Sequence, residues 1–210
     1  MAQQALPHLP IYIINLDSRP DRWEVIRKAC LSCGIQPTRV SAVKASPGWH
    51  GCAKSHQKVQ AIAQQAGHPW YLVLEDDATF SINDWQRFIT LLPFLWQHRT
   101  EWDIFNGGFG KPTEFKLLYK NPILYNSKGP CTQFLLVNQS AYPVIKAWKE
   151  ADGHVDWYLT GNTRMVGTYP FVAYQVVSQS DIGIGDPVND IADGQELIKQ
   201  HIQRDFQTLP

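Results

Sequence analysis

The sequence predicts an α/β fold: a single domain over residues 1–210, with a mixed, mainly parallel sheet between layers of helices. Three observations predict it. Short apolar runs of strand length alternate with amphipathic segments of helical period. One run, Leu72-Val73-Leu74, is apolar without interruption, as in a strand covered on both faces, and it passes directly into Glu75-Asp76-Asp77. At 210 residues, 44% hydrophobic and 12% aromatic, the chain can bury a sizeable core, and it shows no repeat, low-complexity tract or linker.

Pro10 to Leu16 reads as the first strand. Asp17 or Ser18 is placed to cap a helix with Pro20 in its first turn, where Trp23, Ile26 and Cys30 recur at helical spacing until Gly34 stops it. Arg39 to Val43 reads as the second strand, and Gly51 to Ala66 as the second helix, one face marked by Cys52, Ser55 or His56, Val59, Ile62 and Ala66. His68-Pro69 breaks the pattern before the acidic strand. Asn83 or Asp84 caps a third helix through Trp85, Phe88 and Leu92; Trp102 to Phe105 is a strand and Gly107-Gly108-Phe109-Gly110 a turn. Thr132 to Val137 reads as a strand, Ser140 to Glu150 as a helix, Val155 to Leu159 as a short helix or loop, and Phe171 to Val177 as a strand. Ser178 to Asp193 holds glycines, a proline and acids without periodicity, and reads as a surface loop near the site. Leu197, Ile198, His201 and Phe206 mark a closing amphipathic helix.

Formal net charge is zero and no basic run occurs, which argues against nucleic acid or an anionic membrane as partner. No apolar stretch reaches the length of a membrane span, and the first sixteen residues lack a cationic start, so a cytoplasmic protein is expected. Cys30-Leu31-Ser32-Cys33 has C-x-x-C spacing, but it lacks a second ligand pair and follows a helical pattern instead of opening one; two small side chains on one helix face explain it. Cys52 and Cys131 suggest no disulfide framework. The Gly107 turn fails the phosphate-loop spacing, since Phe105 and Pro112 stand where glycine and a hydroxyl residue belong. Asn138-Gln139-Ser140 fits the glycosylation pattern by chance, and neither Gly-x-Ser-x-Gly nor His-Glu-x-x-His occurs.

The three acids carry the chemistry. Burying each uncompensated carboxylate costs about several kcal/mol, so they belong where the strand emerges, at the carboxyl edge of the sheet where ligands gather. Strand alternation puts Glu75 and Asp77 on one face and Asp76 on the other unless the chain has already turned. Paired carboxylates at this spacing suit Mg²⁺ or Mn²⁺, which keep positions open for water and diphosphate oxygens. The alternative is a solvated acidic turn.

Ile11-Tyr12-Ile13-Ile14-Asn15-Leu16-Asp17 with Arg22, then Gly51-Cys52-Ala53-Lys54-Ser55-His56, then the acidic strand, then Trp102-Asp103-Ile104-Phe105, Val155-Asp156-Trp157-Tyr158-Leu159, and Gln175 ahead of Ser180-Asp181-Ile182 form an ordered set. In that order and spacing the chain resembles glycosyltransferase family 25, which includes lipooligosaccharide β-galactosyltransferases and procollagen galactosyltransferases. The resemblance implies a GT-A type, Rossmann-like fold and a UDP-sugar donor. It also implies inverting transfer of galactose or a related hexose to a hydroxyl acceptor on a glycan, lipooligosaccharide or protein, assisted by Mn²⁺ or Mg²⁺. By position it implies metal binding at Asp77, Glu75 and Asp181, with Glu75 alternatively at the ribose or behind the metal ligands. Asn15, Leu16 and Asp17 would line the nucleotide pocket, Arg22 would approach phosphate, and Ser55 and His56 would meet a polar ligand near the start of a helix.

Inverting transfer also needs a base for the acceptor hydroxyl, and Asp156 is the first choice, with Asp76 the alternative. For each of these residues a plainer role exists: Arg22 as a surface charge, His56 as a core histidine, Asp156 as a helix cap. Other functions fit less well. A nucleotidyltransferase acting on sugar phosphates would carry a glycine-rich basic loop where Asn15-Leu16-Asp17-Ser18-Arg19 stands. A catalytically inactive carbohydrate- or nucleotide-binding domain would have no need to keep all three acids, and a glycosidase would set two carboxylates across a cleft.

Overall fold

The computed structural model describes residues 5–176 and 187–207. Strand β1 (Ile11–Asn15) leads into α1 (Pro20–Ser32), which has proline at its start and ends before Gly34, a residue at φ +73°. Arg19 occupies the N-cap, and neither Asp17 nor Ser18 caps the helix: the Asp17 carboxylate accepts from Arg39 and Ser41 instead. Next come β2 (Thr38–Ser41), α2 (Gly48–Gln65), which begins three residues before the expected Gly51, and β3 (Trp70–Glu75). Two-residue β4 (Ala78–Thr79) precedes α3 (Ile82–Gln97). Ser81 caps α3 in a reciprocal capping box with Asp84, so Asp84 takes part from inside the helix, one turn beyond the cap itself.

The second half departs more from the sequence reading. After β5 (Ile104–Asn106) comes a hairpin that hydrophobic patterning did not reveal, β6 (Glu114–Lys120) and β7 (Ile123–Lys128), whose outer strand is half exposed and mixes charged with apolar residues. The strand expected at Thr132 begins later, as β8 (Phe134–Asn138). The expected helix from Ser140 to Glu150 is cut short as α4 (Tyr142–Ala147), where the Gln57 amide of α2 donates to the carbonyls of Ile145 and Trp148 at 3.1 and 3.0 Å. Val155–Asn162 is a helix, α5, followed by β9 (Met165–Thr168). Of the strand expected from Phe171 only β10 (Tyr174–Gln175) forms, paired with β4; Val177 lies outside the described residues. Helix α6 (Pro187–Gln207) already covers the last seven positions of the loop expected from Ser178 to Asp193.

Eight strands join in the order β2-β1-β3-β8-β5-β9-β7-β6. Six run one way, and β8 and β7 oppose them, which gives the mixed, mainly parallel sheet flanked by helices that the alternating pattern predicts. Successive residues of β1 and β3 enter opposite cores. Tyr12, Ile14, Tyr71 and Val73 pack with α2, α4, α5 and α6, whereas Ile13, Leu72 and Leu74 pack with α1 and α3. Cys30 is fully buried in the second core, where burial pushes its thiol up to about 12, whereas Cys33 is the half-buried C-cap residue just beyond α1 and not a buried residue on its face. Among the described residues no helix is long and apolar enough to cross a membrane.

Candidate functional site

The alternation that builds two cores also divides the acids. Glu75 follows Tyr71 and Val73 toward α2, and Asp76 follows Leu72 and Leu74 toward α1. The chain turns immediately after Glu75, so Asp77 does not continue the alternation. It comes within 4.0 Å of the Arg22 guanidinium that also meets Asp76 at 3.1 Å.

Each carboxylate is held differently. Glu75 Oε1 accepts from Thr132 Oγ1 at 2.6 Å, meets His56 Nε2 at 3.0 Å, and lies 3.7 Å from Cys52 Sγ. Burial works to raise its pKa, but the His56 contact together with the hydroxyl and thiol donors carries it below the usual carboxylate range. Asp76 accepts from Asn15 Nδ2 at 2.7 Å and from Arg22 at 3.1 Å; burial outweighs both partners and raises its pKa. Asp77 is the least satisfied of the three. Its Oδ1 is buried without a hydrogen-bond partner, and burial followed by the charges of Glu75 and Asp76 pushes the carboxyl up to about 7.

Asn15 is 1% exposed and uses all its hydrogen-bonding capacity internally. Its amide donates to Asp76 and to the Arg19 carbonyl, and its oxygen accepts twice from Arg39, at 2.9 and 2.7 Å. Arg39 continues to exposed Asp17 and lies over the Trp23 ring. A chain of hydrogen bonds thus runs from Asp17 through Arg39 and Asn15 to Asp76.

Arg22, Cys52, Ser55 and all three acids line a cavity of about 270 Å³, together with Leu16 and the loop Ala42 to Ala45. Ser55 fixes that loop: its hydroxyl accepts from the Val43 amide at 2.8 Å and donates to the Gly51 carbonyl at 2.7 Å. Only glycine fits at position 51, because a Cβ there would run into the Val43 carbonyl oxygen. Neither Asn15, Asp17, His56 nor Asp156 lines the cavity.

Asp156 stands in the first turn of α5, where His154, not Asp156, is the N-cap. Its Oδ1 accepts from the Trp157 amide at 2.8 Å and its Oδ2 lies 3.5 Å from the Cys131 amide. It is near enough to Cys52 that its charge, after burial and Glu75, helps keep that thiol protonated. Asp181 lies outside the described residues.

Sequence reasoning missed Cys52 as a site residue, and also Thr132 and Arg39. Cys52 had a signal, since it sits one helical turn before His56. Thr132 and Arg39 reach the acids only through the sheet and carried none.

No family model and no curated protein matches the chain. Among solved structures it is similar to A197 from STIV, at 13% identity and a TM-score of 0.48, covering 81% of this chain and 87% of that one. It is also similar to a glycosyltransferase involved in glycosylation of the major capsid of PBCV-1, at 15% identity and a TM-score of 0.44, covering 79% of this chain and 72% of that one. A third, HddC from Yersinia pseudotuberculosis complexed with GMP-PN, has 12% identity and a TM-score of 0.40, covering 91% and 100% respectively. Likeness at this level says nothing about function.

Proposed function

We propose that this chain is a metal-assisted glycosyltransferase that moves a hexose from a UDP-sugar to a hydroxyl acceptor. One observation carries the reading: three consecutive acids stand at the carboxyl end of a central strand, on a cavity, and one of them presents a buried, unpartnered carboxylate oxygen. The ordered motifs that resemble glycosyltransferase family 25 support the same reading.

Asp77 fits a divalent cation, because its Oδ1 has no protein donor and the surrounding acids make a positive charge welcome there. Asp181 is the second ligand that the resemblance implies. Bound there, Mn²⁺ or Mg²⁺ would supply neutralisation of the charge on a departing diphosphate. Arg22 stands between Asp76 and Asp77 and offers the diphosphate a fixed cation, while Leu16 and the Ala42 to Ala45 loop wall the donor pocket. Asn15 acts one step back, orienting Asp76, and Ser55 holds the loop. Asp156 takes the proton of the acceptor hydroxyl as its oxygen attacks the anomeric carbon opposite the leaving diphosphate.

The test is incubation with a panel of nucleotide sugars and Mn²⁺, following release of nucleoside diphosphate with and without chelator. Chelator-sensitive release from a UDP-hexose is expected. Absence of release and of binding for every donor overturns the reading, and pyrophosphate formed from a nucleoside triphosphate and a sugar phosphate would identify a nucleotidyltransferase instead.

A further inference from the structure

We propose a second cation site, selective for zinc, formed by Cys52, His56 and Glu75 on the α2 side of β3. Cys52 and His56 are four residues apart on α2, so their side chains emerge on one face of the helix, and Glu75 arrives from the end of β3. The three ligand atoms lie within 4.8 Å of one another. A tetrahedral zinc with ordinary bond lengths would set nitrogen and oxygen ligands about 3.4 Å apart and sulfur and oxygen about 3.6 Å apart. The structure has 3.0 Å between His56 Nε2 and Glu75 Oε1, and 3.7 Å between Cys52 Sγ and the same oxygen. Both distances lie within half an ångström of those values, and Cys52 Sγ and His56 Nε2 lie within 4.8 Å of each other.

Two further features belong to a metal centre. Thr132 Oγ1 donates to Glu75 at 2.6 Å and fixes the carboxylate, the role that outer hydrogen bonds play around bound metals. Cys52 and Glu75 both border the cavity, whereas His56 is 2% exposed behind them, so the fourth position opens on the cavity and takes a water or a substrate oxygen. The donor set decides the ion. One sulfur, one imidazole nitrogen and one carboxylate oxygen suit zinc, while magnesium and manganese prefer oxygens alone. The Cys52 thiol gives up its proton to solvent as the zinc–sulfur bond forms. This centre is separate from the cation proposed at Asp77, and it stands whether or not the chain transfers sugars.

Cobalt reports the site directly. One equivalent of Co²⁺ added to chelator-stripped protein is expected to give a near-ultraviolet thiolate charge-transfer band with visible bands of tetrahedral cobalt, displaced by one equivalent of Zn²⁺ but not by Mn²⁺. Asp77→Asn keeps these bands and Cys52→Ser removes the thiolate band. His56→Gln, which leaves the thiol in place, weakens Co²⁺ binding by about tenfold or more. The absence of a thiolate band in the parent protein, its persistence in Cys52→Ser, or unchanged affinity in His56→Gln overturns the proposal. Loss of the bands in Asp77→Asn would also overturn it, by moving the cation to the other acids.

Discussion

Asn15 Nδ2 donates to Asp76 Oδ2 at 2.7 Å, and this buried contact ties the end of β1 to the middle of the acidic triplet. Removing it leaves Asp76 with Arg22 and takes from Arg39, which keeps Asp17, its two bonds to the Asn15 oxygen. Asn15→Ala should therefore lower unfolding free energy by about 1–3 kcal/mol, the range for stranding buried polar groups. Urea denaturation measures it, and a midpoint equal to the parent's would show that Asn15 does not position Asp76.

Asp77 supplies a pH dependence with a definite sign. Its carboxyl is pushed up to about 7 in the folded, metal-free protein, against an ordinary aspartate value of 3.8, so the folded state binds that proton more tightly than the unfolded one. The contribution is fully present below the unfolded value and is lost as pH rises through about 7. The parent should lose stability relative to Asp77→Asn between pH 5 and pH 8, read from denaturation midpoints at each pH. Mn²⁺ competes with the same proton, so its stabilising shift in melting temperature should be larger at pH 8 than at pH 6 and absent in Asp77→Asn.

Asp156 stands apart from the cavity lining, so its proposed role as base can be tested apart from donor binding. Asp156→Asn is expected to bind UDP-sugar with unchanged affinity by calorimetry while losing about 10²–10⁴-fold in transfer rate. Full transfer activity would remove Asp156 as the base.

Gly51 holds the cavity wall by what it lacks. Gly51→Ala forces a methyl group into the Val43 carbonyl and should cost about 1–3 kcal/mol while displacing the Ala42 to Ala45 loop. Donor binding should weaken along with stability. A variant equally stable and equally tight for donor would show that the loop is not part of the pocket.

The first half of the fold was legible because its signals are local. Pro20 opens a helix, Gly34 ends one, and an unbroken apolar run marks β3. Those signals fade where structure depends on partners. Strand β6 alternates only from Glu114 to Leu117 before a bulge breaks the pattern, β7 does not alternate, and α4 stops where a glutamine from another helix captures its carbonyls. The acids were legible as neighbours at the end of a strand, yet the separate partners of each were not. Asn15 reads in sequence as a strand residue near a ligand; only the register of β1 with β3, Ile14 beside Glu75, reveals that it serves Asp76.

That register makes the length of β3 unforgiving. Insertion or deletion of one residue between Trp70 and Leu74 would turn the rest of β3 over, exchanging the core that each of its side chains enters and carrying Glu75 away from His56 and Thr132. Single-residue indels in this strand therefore have no mild form, whereas two-residue indels keep each acid with its own helix.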